Sequence, residues 1–346
     1  MNEQEIAPTR LKIARKRRGL TLTALAKSTD ISSRSLSAYE NGEWKPTSES
    51  LQTIAHVLDF PIQFFHGDEL DEIPEDSVSF RAATKMTARQ RDAALSAGRV
   101  ALMFDRWIAE RFDLPEASIP TLTGYDPESA ADSLRARWGL GLRPIRNAVH
   151  LVEAHGIRVY SLPADTKSLD AFSLAWRGQP YIFLNTEKSG ERGRFDVAHE
   201  LGHLVMHGEH VVPHGPEIEA QANAFAAAFL MPRASVVAQG LRHATVPQII
   251  SAKTIWRVSA LALTHRLHEL DLTTDWGYRN AFVQLGRLGY RRDEPGGISR
   301  EASLLHSKVL QSLREDGIGV KSSAATLGIS VDDLKSYLFG LTLTTA

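Results

Sequence analysis

The sequence predicts a mostly α-helical protein with a small β-sheet, an α+β chain, on three observations. Residues 10–60 place apolar side chains at helical spacing between good helix caps, residues 157–185 change to short β-prone runs, and from Phe195 onward helical spacing resumes around two histidines four residues apart. The 346 residues, 43% hydrophobic and 23% charged, suffice for two or three globular domains and argue against disorder as the main state.

Composition narrows the chemistry. A net charge of -1 excludes attraction of nucleic acid to the surface as a whole, so DNA binding has to come from a local patch. With no cysteine, disulfides, thiolate metal sites and cysteine nucleophiles are excluded, and a metal site must use His, Asp or Glu. No apolar run approaches the roughly 18 to 20 residues of a membrane span, and "MNEQEIAPTRLKIARKRRGL" lacks the apolar core of a signal peptide. A cytoplasmic protein with no membrane partner is the expectation.

The elements follow in order. "TRLKIARKRRGLT" puts Leu11, Ala14 and Arg18 at helical spacing and six bases, Arg10, Lys12, Arg15, Lys16, Arg17 and Arg18, without an acid, which reads as a first helix with a basic face. Thr21 then caps a short helix, "STDIS" makes a tight break, and Ser32 caps a second short helix. Leu25, Ala26, Ile31, Leu36 and Tyr39 fall where the two helices must touch, which leaves Ser33, Arg34, Ser35 and Ser37 on the outer face. "SESLQTIAHVLD" and "FPIQFF" supply two more helical stretches, giving a five-helix domain over residues 1–66.

The run "LTLTALAKSTDISSRSLSAYENGEWKPTSESLQTIAHVLDF" resembles the Xre/Cro-like repressor domain and departs from it at Leu22, where that family often carries a phosphate-contacting glutamine. The resemblance implies double-stranded operator DNA as partner and a homodimer on paired half-sites. Arg34 can read guanine through a bidentate pair, Ser33 and Ser37 can touch base edges or phosphate, and Lys45 can touch the backbone. The plainer reading of the same helices is a small interaction domain with a solvated basic face.

Asp68, Glu69, Asp71, Glu72, Glu75 and Asp76 around a proline read as an acidic, solvated linker over residues 67–79. Beyond it, Thr87 and Gln90 stand in capping-box relation at the head of a helix running to Phe112. Two further helices fit "PESAADSLRARWGL" and "PIRNAVHLVEAHG", the latter with Gly156 as C-cap. "IRVYSLP", "AFSLAWRG" and "QPYIFLN" read as strands, the last two joined by a hairpin turn at "RGQP". A strand at the outer edge of such a sheet, beside a metal-binding helix, would suit addition of an extended peptide. Which strand is that edge stays open.

On a helix His199 and His203 share one face and can point at one ion, while Glu200 sits about 100° around, where it can act as general base. Gly202 would allow close approach by a neighbouring element, and His207, one turn further on, reads as a supporting residue. A third ligand has to come from elsewhere. "EIEAQANAFAAAFLMP" offers Glu219, with Glu217 as fallback, and Asn223 one turn after Glu219 can orient a histidine ligand.

"FLNTEKSGERGRFDVAHELGHLVMH" followed by "EIEAQANAFAAAFLMP" resembles the ImmA/IrrE family of metallopeptidases through Asn185, Arg194, Phe195, His199 to His203, Glu219, Ala222, Asn223, Phe225 and Met231-Pro232. The resemblance implies a zincin-like peptidase domain, placed here at residues 80–272, with Zn2+ as cofactor and a repressor-like protein, a partner or the chain itself, as substrate in stress, phage or mobile-element control. The other reading is a non-catalytic transcription factor that uses the peptidase-like fold as a ligand or partner sensor.

Residues 273–346 are expected to form a helical C-terminal module for packing, sensing or dimerisation. "SSAATLGISVDDLKSYL" has helix-turn-helix cadence, but Asp332 and Asp333 stand where a DNA-reading helix would want bases. Ser259 caps a helix whose His265 and His268 lack the four-residue spacing of a ligand pair.

Overall fold

A computed structural model describes residues 5–71, 73–74, 78–80, 87–163, 169–208 and 215–339. Glu72, Glu75 and Asp76 of the acidic segment lie outside them.

The chain begins with α1 (Pro8–Arg17), α2 (Leu22–Thr29), α3 (Ser33–Glu40) and α4 (Ser48–Leu58), and the expected fifth helix is a 3-10 turn over Ile62–His66. The Thr21 and Ser32 hydroxyls accept from the amides of Ala24 and Ser35, and Asp30 takes the left-handed conformation that makes the break between α2 and α3. The strand β1 (Val78–Phe80) leads to α5 (Ala88–Ala109), which opens with the Thr87–Gln90 capping box and ends short of the expected Phe112. Then come α6 (Pro127–Arg137), α7 (Ala148–Ala154), β2 (Arg158–Leu162), β3 (Ala171–Trp176) and β4 (Gln179–Asn185). Arg177 and Gly178 both have positive φ, at 53° and 81°, as a two-residue hairpin turn between β3 and β4 requires.

The sheet runs β1-β3-β4-β2, with β2 parallel to β4 and the other pairs antiparallel. The edge strands are therefore β1 and β2, and β1 covers the outer side of β3 from Phe172 to Leu174. Alternation along the strands splits the molecule into two cores. Phe172 and Leu174 of β3 and Tyr181 and Phe183 of β4 face α5, whereas Ala171, Ile182 and Leu184 face the other way.

On that second face lies α8 (Gly190–Gly202), which continues as a π-helical turn over His203–His207. It is followed by α9 (Pro216–Leu230), α10 (Arg233–Val237), α11 (Val246–Trp256), α12 (Ala260–Glu269) and α13 (Asp275–Arg287). The last helices, α14 (Leu304–Glu315), α15 (Val320–Leu327) and α16 (Val331–Tyr337), return to the first face. Residues 273–346 thus divide: Ala281 and Leu285 of α13 join the core around α8, and Val309, Leu313, Leu334 and Tyr337 join the core around α5.

That α5 core also contains Leu11, Leu36, Leu51 and Phe64 of the first helices, so the N-terminal bundle is packed against the body. The basic face expected of α1 is spent on this packing. Arg15 pairs with Glu40 of α3 at 2.6 Å, Lys16 with Asp92 of α5 at 3.1 Å, and Arg18 with Asp333 of α16 at 2.7 Å. Arg17, 3% exposed, donates to Tyr337 Oη at 3.0 Å and to Asp333 at 3.2 Å. Sequence periodicity could place these bases on a helix but not show where their counter-ions lay. The first part of the acidic segment is tied down, since the amide of Thr9 donates to Glu69 at 3.1 Å and Arg177 pairs with Asp71 at 2.6 Å. Among the described residues no helix is long and apolar enough to cross a membrane.

Candidate metal centre and nucleic-acid interface

The centre is built where α8 crosses α9. Gly202 makes the crossing close: a Cβ there would sit 2.9 Å from Phe225 and 3.4 Å from Ala222 Cα, so a larger residue would push the helices apart. This contact brings Glu219 of α9 over the histidine face of α8. Nε2 of His199 and Nε2 of His203 stand 3.1 Å apart, and the two Glu219 oxygens lie 3.4 Å from His199 and 3.3 Å from His203. A tetrahedron with bonds of about 2.0–2.1 Å has edges of about 3.3–3.4 Å, so the three donors fit three corners around one ion. Glu217 is exposed and outside the cluster.

Each histidine is held in the form a ligand needs. His199 Nδ1 lies 3.1 Å from Asn223 Oδ1, which can only accept, so Nδ1 carries the proton and Nε2 keeps its lone pair. His203 Nδ1 lies 3.1 Å from His207 Nδ1, and His207 Nε2 lies 3.0 Å from Gln221 Oε1. Gln221 accepts from His207, which accepts from His203, so His203, like His199, carries its proton on Nδ1 and turns an unprotonated Nε2 toward the cluster. Burial holds His207 below the ordinary imidazole value, against the opposing bond from Gln221, which suits a neutral ring in this relay. The π-helical turn that carries His207 is a feature frequent at functional sites.

Burial acts to raise the Glu219 carboxyl, but when the imidazoles of His199 and His203 are protonated at Nε2 their hydrogen bonds and charge outweigh it and hold the group well below the usual carboxylate range; with Nε2 deprotonated, a cation shared by the three groups would do the same. Glu219 is therefore an anion at neutral pH. The cluster is closed on the α8 side, with His199 0% and His203 4% exposed, and open on the α9 side, where the Glu219 side chain is 31% exposed. One open side is what distinguishes a site that handles substrate from a sealed structural one. Glu200, fully buried, faces the sheet, and Ser173 Oγ of β3 donates to its Oε2 at 2.6 Å.

Sequence reasoning did not find Ser173 or Gln221. Ser173 had a faint signal as the polar residue in the apolar run "AFSLAW", whereas Gln221 follows Glu219 by two residues and shares no helical face with it.

At the other end of the chain, α3 buries Leu36, Ala38 and Glu40 and turns Arg34 outward, with Ser33 and Ser37 half-buried beside it. Arg34 lies 6.0 Å over the ring of Trp44, itself 50% exposed, and Lys45 is exposed nearby. The bases of α1 do not extend this surface. If Arg34 reads a base, Arg34→Ala is expected to weaken operator binding by about 1–3 kcal/mol and to relax preference at one position. Binding measured across an operator and its single-base variants decides it, and unchanged specificity would remove Arg34 from the interface.

Residues 11–65 match the family model of a helix-turn-helix domain, and residues 152–268 match that of the IrrE N-terminal-like domain of peptidase family M78. A comparison with curated proteins gives no match. The chain carries an Xre-type helix-turn-helix DNA-binding domain at its N-terminus and an M78-type metallopeptidase domain with a His199, His203, Glu219 cluster.

Proposed function

We propose that the protein is a DNA-binding transcription regulator whose second domain is a zinc-dependent endopeptidase, and that it cleaves a repressor- or antitoxin-like protein, a partner or itself, in stress, phage or mobile-element control. The observation that carries this reading is the tetrahedral spacing of the three donors, open on one side, with a buried carboxylate on the next residue after the first ligand. Two imidazoles and a carboxylate without a thiolate suit Zn2+. His199, His203 and Glu219 would hold the ion, with Asn223 and the His207–Gln221 pair fixing the two rings. The bound ion supplies Lewis acidity toward a peptide carbonyl and toward water.

The proton traffic falls to Glu200. Its carboxylate takes a proton from the attacking water and returns it to the leaving amine as the peptide C–N bond breaks. Ser173 sets the carboxylate's orientation through the 2.6 Å bond to Oε2. An extended substrate added to β3 beside this residue has to take the place of β1, which pairs Ser79 with Ser173. That occupied edge is also what favours the second reading, a peptidase fold that only senses a ligand or partner, with the DNA domain as its output.

Cleavage assays on the full chain separate the two. Incubated with Zn2+ and with repressor-like proteins encoded beside its own gene, or alone, the protein is expected to yield fragments that vanish on chelation and return with Zn2+. Absence of any metal-dependent fragment, with operator binding intact, leaves the sensor reading standing.

A further inference from the structure

The sheet edge beside Glu200 is already taken by the chain itself. The backbone of β1 pairs antiparallel with β3, with Val78 opposite Leu174, Ser79 opposite Ser173 and Phe80 opposite Phe172. Ser173 is also the residue whose hydroxyl holds the Glu200 carboxylate, at 2.6 Å, and Glu200 directly follows the ligand His199. Neighbouring strands lie about 4.7–4.9 Å apart, so a strand in register with Ser173 runs one strand spacing from the residue that orients this carboxylate. The other edge, β2, lies beyond β4 and has no such place.

The strand is seated but lightly held. Val78 is buried in the α5 core, as is Ile73 before it. Upstream, Asp71 pairs with Arg177 in the turn between β3 and β4, and Glu69 accepts from the amide of Thr9 at the head of α1. Against this, the pairing extends over three residues, and the side chains of the Arg177–Asp71 pair are 74% and 60% exposed, so that pair contributes little. A peptide that makes the same ladder bonds and fills the seat of Val78 offsets most of what displacing β1 costs. Glu200, meanwhile, is 0% exposed, whereas an attacking water has to reach its carboxylate. The arrangement with β1 in place is a closed one.

We propose that β1 is an autoinhibitory strand, an internal stand-in for substrate that keeps extended peptide off the β3 edge until it is displaced. The inference rests on reading β3 as the edge that takes a peptide, and it adds the regulation of that edge. Strand addition supplies affinity through the backbone and selectivity through alternate side chains, so the favoured occupant is an extended segment with an apolar residue opposite Leu174, where Val78 now sits. The bond between Glu69 and Thr9 ties the chain leading into β1 to the DNA-binding bundle, so a shift of the bundle pulls on the strand. Occupancy of the edge and the seating of the DNA-binding domain are thereby coupled.

The test uses the full chain and, as probe, a fluorescein-labelled peptide with the sequence of residues 76–82, DSVSFRA. Val78→Asp puts a charge in the apolar core and should expel β1. Val78→Cys combined with Leu174→Cys puts thiols on directly opposite residues, whose Cα spacing of about 4.5–5.5 Å suits a disulfide, in a chain with no other cysteine. The peptide is expected to bind Val78→Asp and the reduced cysteine pair, and to lose about tenfold or more in affinity once the pair is oxidised, as follows for an edge open about a tenth of the time or less. Metal-dependent cleavage by the Zn2+-loaded chain, assayed with and without a phosphine reductant, should follow the same order. The cysteine pair decides the matter if Val78→Asp does not fold. Equal peptide binding by the oxidised and reduced forms, no binding by a folded Val78→Asp, or cleavage that ignores the lock overturns the proposal. Peptide binding that follows the lock, with no metal-dependent fragment in any form, keeps β1 as the guard of the edge and removes the endopeptidase reading instead.

Discussion

Glu200→Gln is expected to slow peptide cleavage by about 10²- to 10⁴-fold while metal content and Tm stay at the wild-type level. The side chain is 0% exposed and does not belong to the His199, His203, Glu219 cluster, so the exchange removes no ligand. Glutamine has the same shape, and its carbonyl can still accept the Ser173 hydroxyl that now reaches Oε2 at 2.6 Å. What the amide cannot do is take up a proton. The loss should therefore fall on kcat, with KM little changed. Stopped assays on the cleaved protein, run beside metal analysis, test it. Wild-type turnover in the variant would take the proton-transfer role from Glu200, and loss of metal along with turnover would make the residue structural.

The second large effect lies far from the metal. Asp333→Ala is expected to destabilise the protein by about 3–5 kcal/mol, the range for removing one partner of a buried ion pair. Asp333 has a side chain 4% exposed and accepts from Arg17 at 3.2 Å and from Arg18 at 3.0 and 2.7 Å. It also takes part in the N-cap of α16, where its amide donates to Ser330 Oγ and its carboxylate accepts from the same hydroxyl. Denaturant titration would show the lowered midpoint. Asp333→Asn, which keeps an acceptor but not the charge, should fall between the two. A loss below about 1 kcal/mol for the alanine variant would mean that the contact contributes as little as an exposed pair.

The two residues mark what was and was not legible in the sequence. Local features were readable because their causes are local: the caps at Thr21, Ser32, Thr87 and Ser259, the hairpin turn at Arg177-Gly178, and the His199 and His203 face all follow from neighbours within four residues. Glu219 and Asn223 could be paired with that face by their own helical spacing. The destination of the α1 bases could not, because a run of arginines looks the same in sequence whether it meets phosphate or Asp333. Ser173 and Gln221 were hidden for a related reason, since each acts through an element brought alongside only by the packing of β3 and α9 on α8. The π-helical turn at His203–His207 has no hydrophobic period to set it apart from an α-helix.

The bond from Arg17 to Tyr337 joins residues 320 positions apart. During synthesis at roughly 5–20 residues per second, Arg17 is made about 16–64 s before its partner exists. Throughout that interval the first helices can fold on their own local contacts, yet Arg17 and Arg18 lack the carboxylate of Asp333, while Arg18 keeps its bonds to the Leu58 and Asp59 carbonyls. The DNA-binding bundle is thus among the first parts of the protein to be formed and among the last to be seated, and a chain released before its final helix lacks the one carboxylate that Arg17 and Arg18 of its DNA-binding domain share.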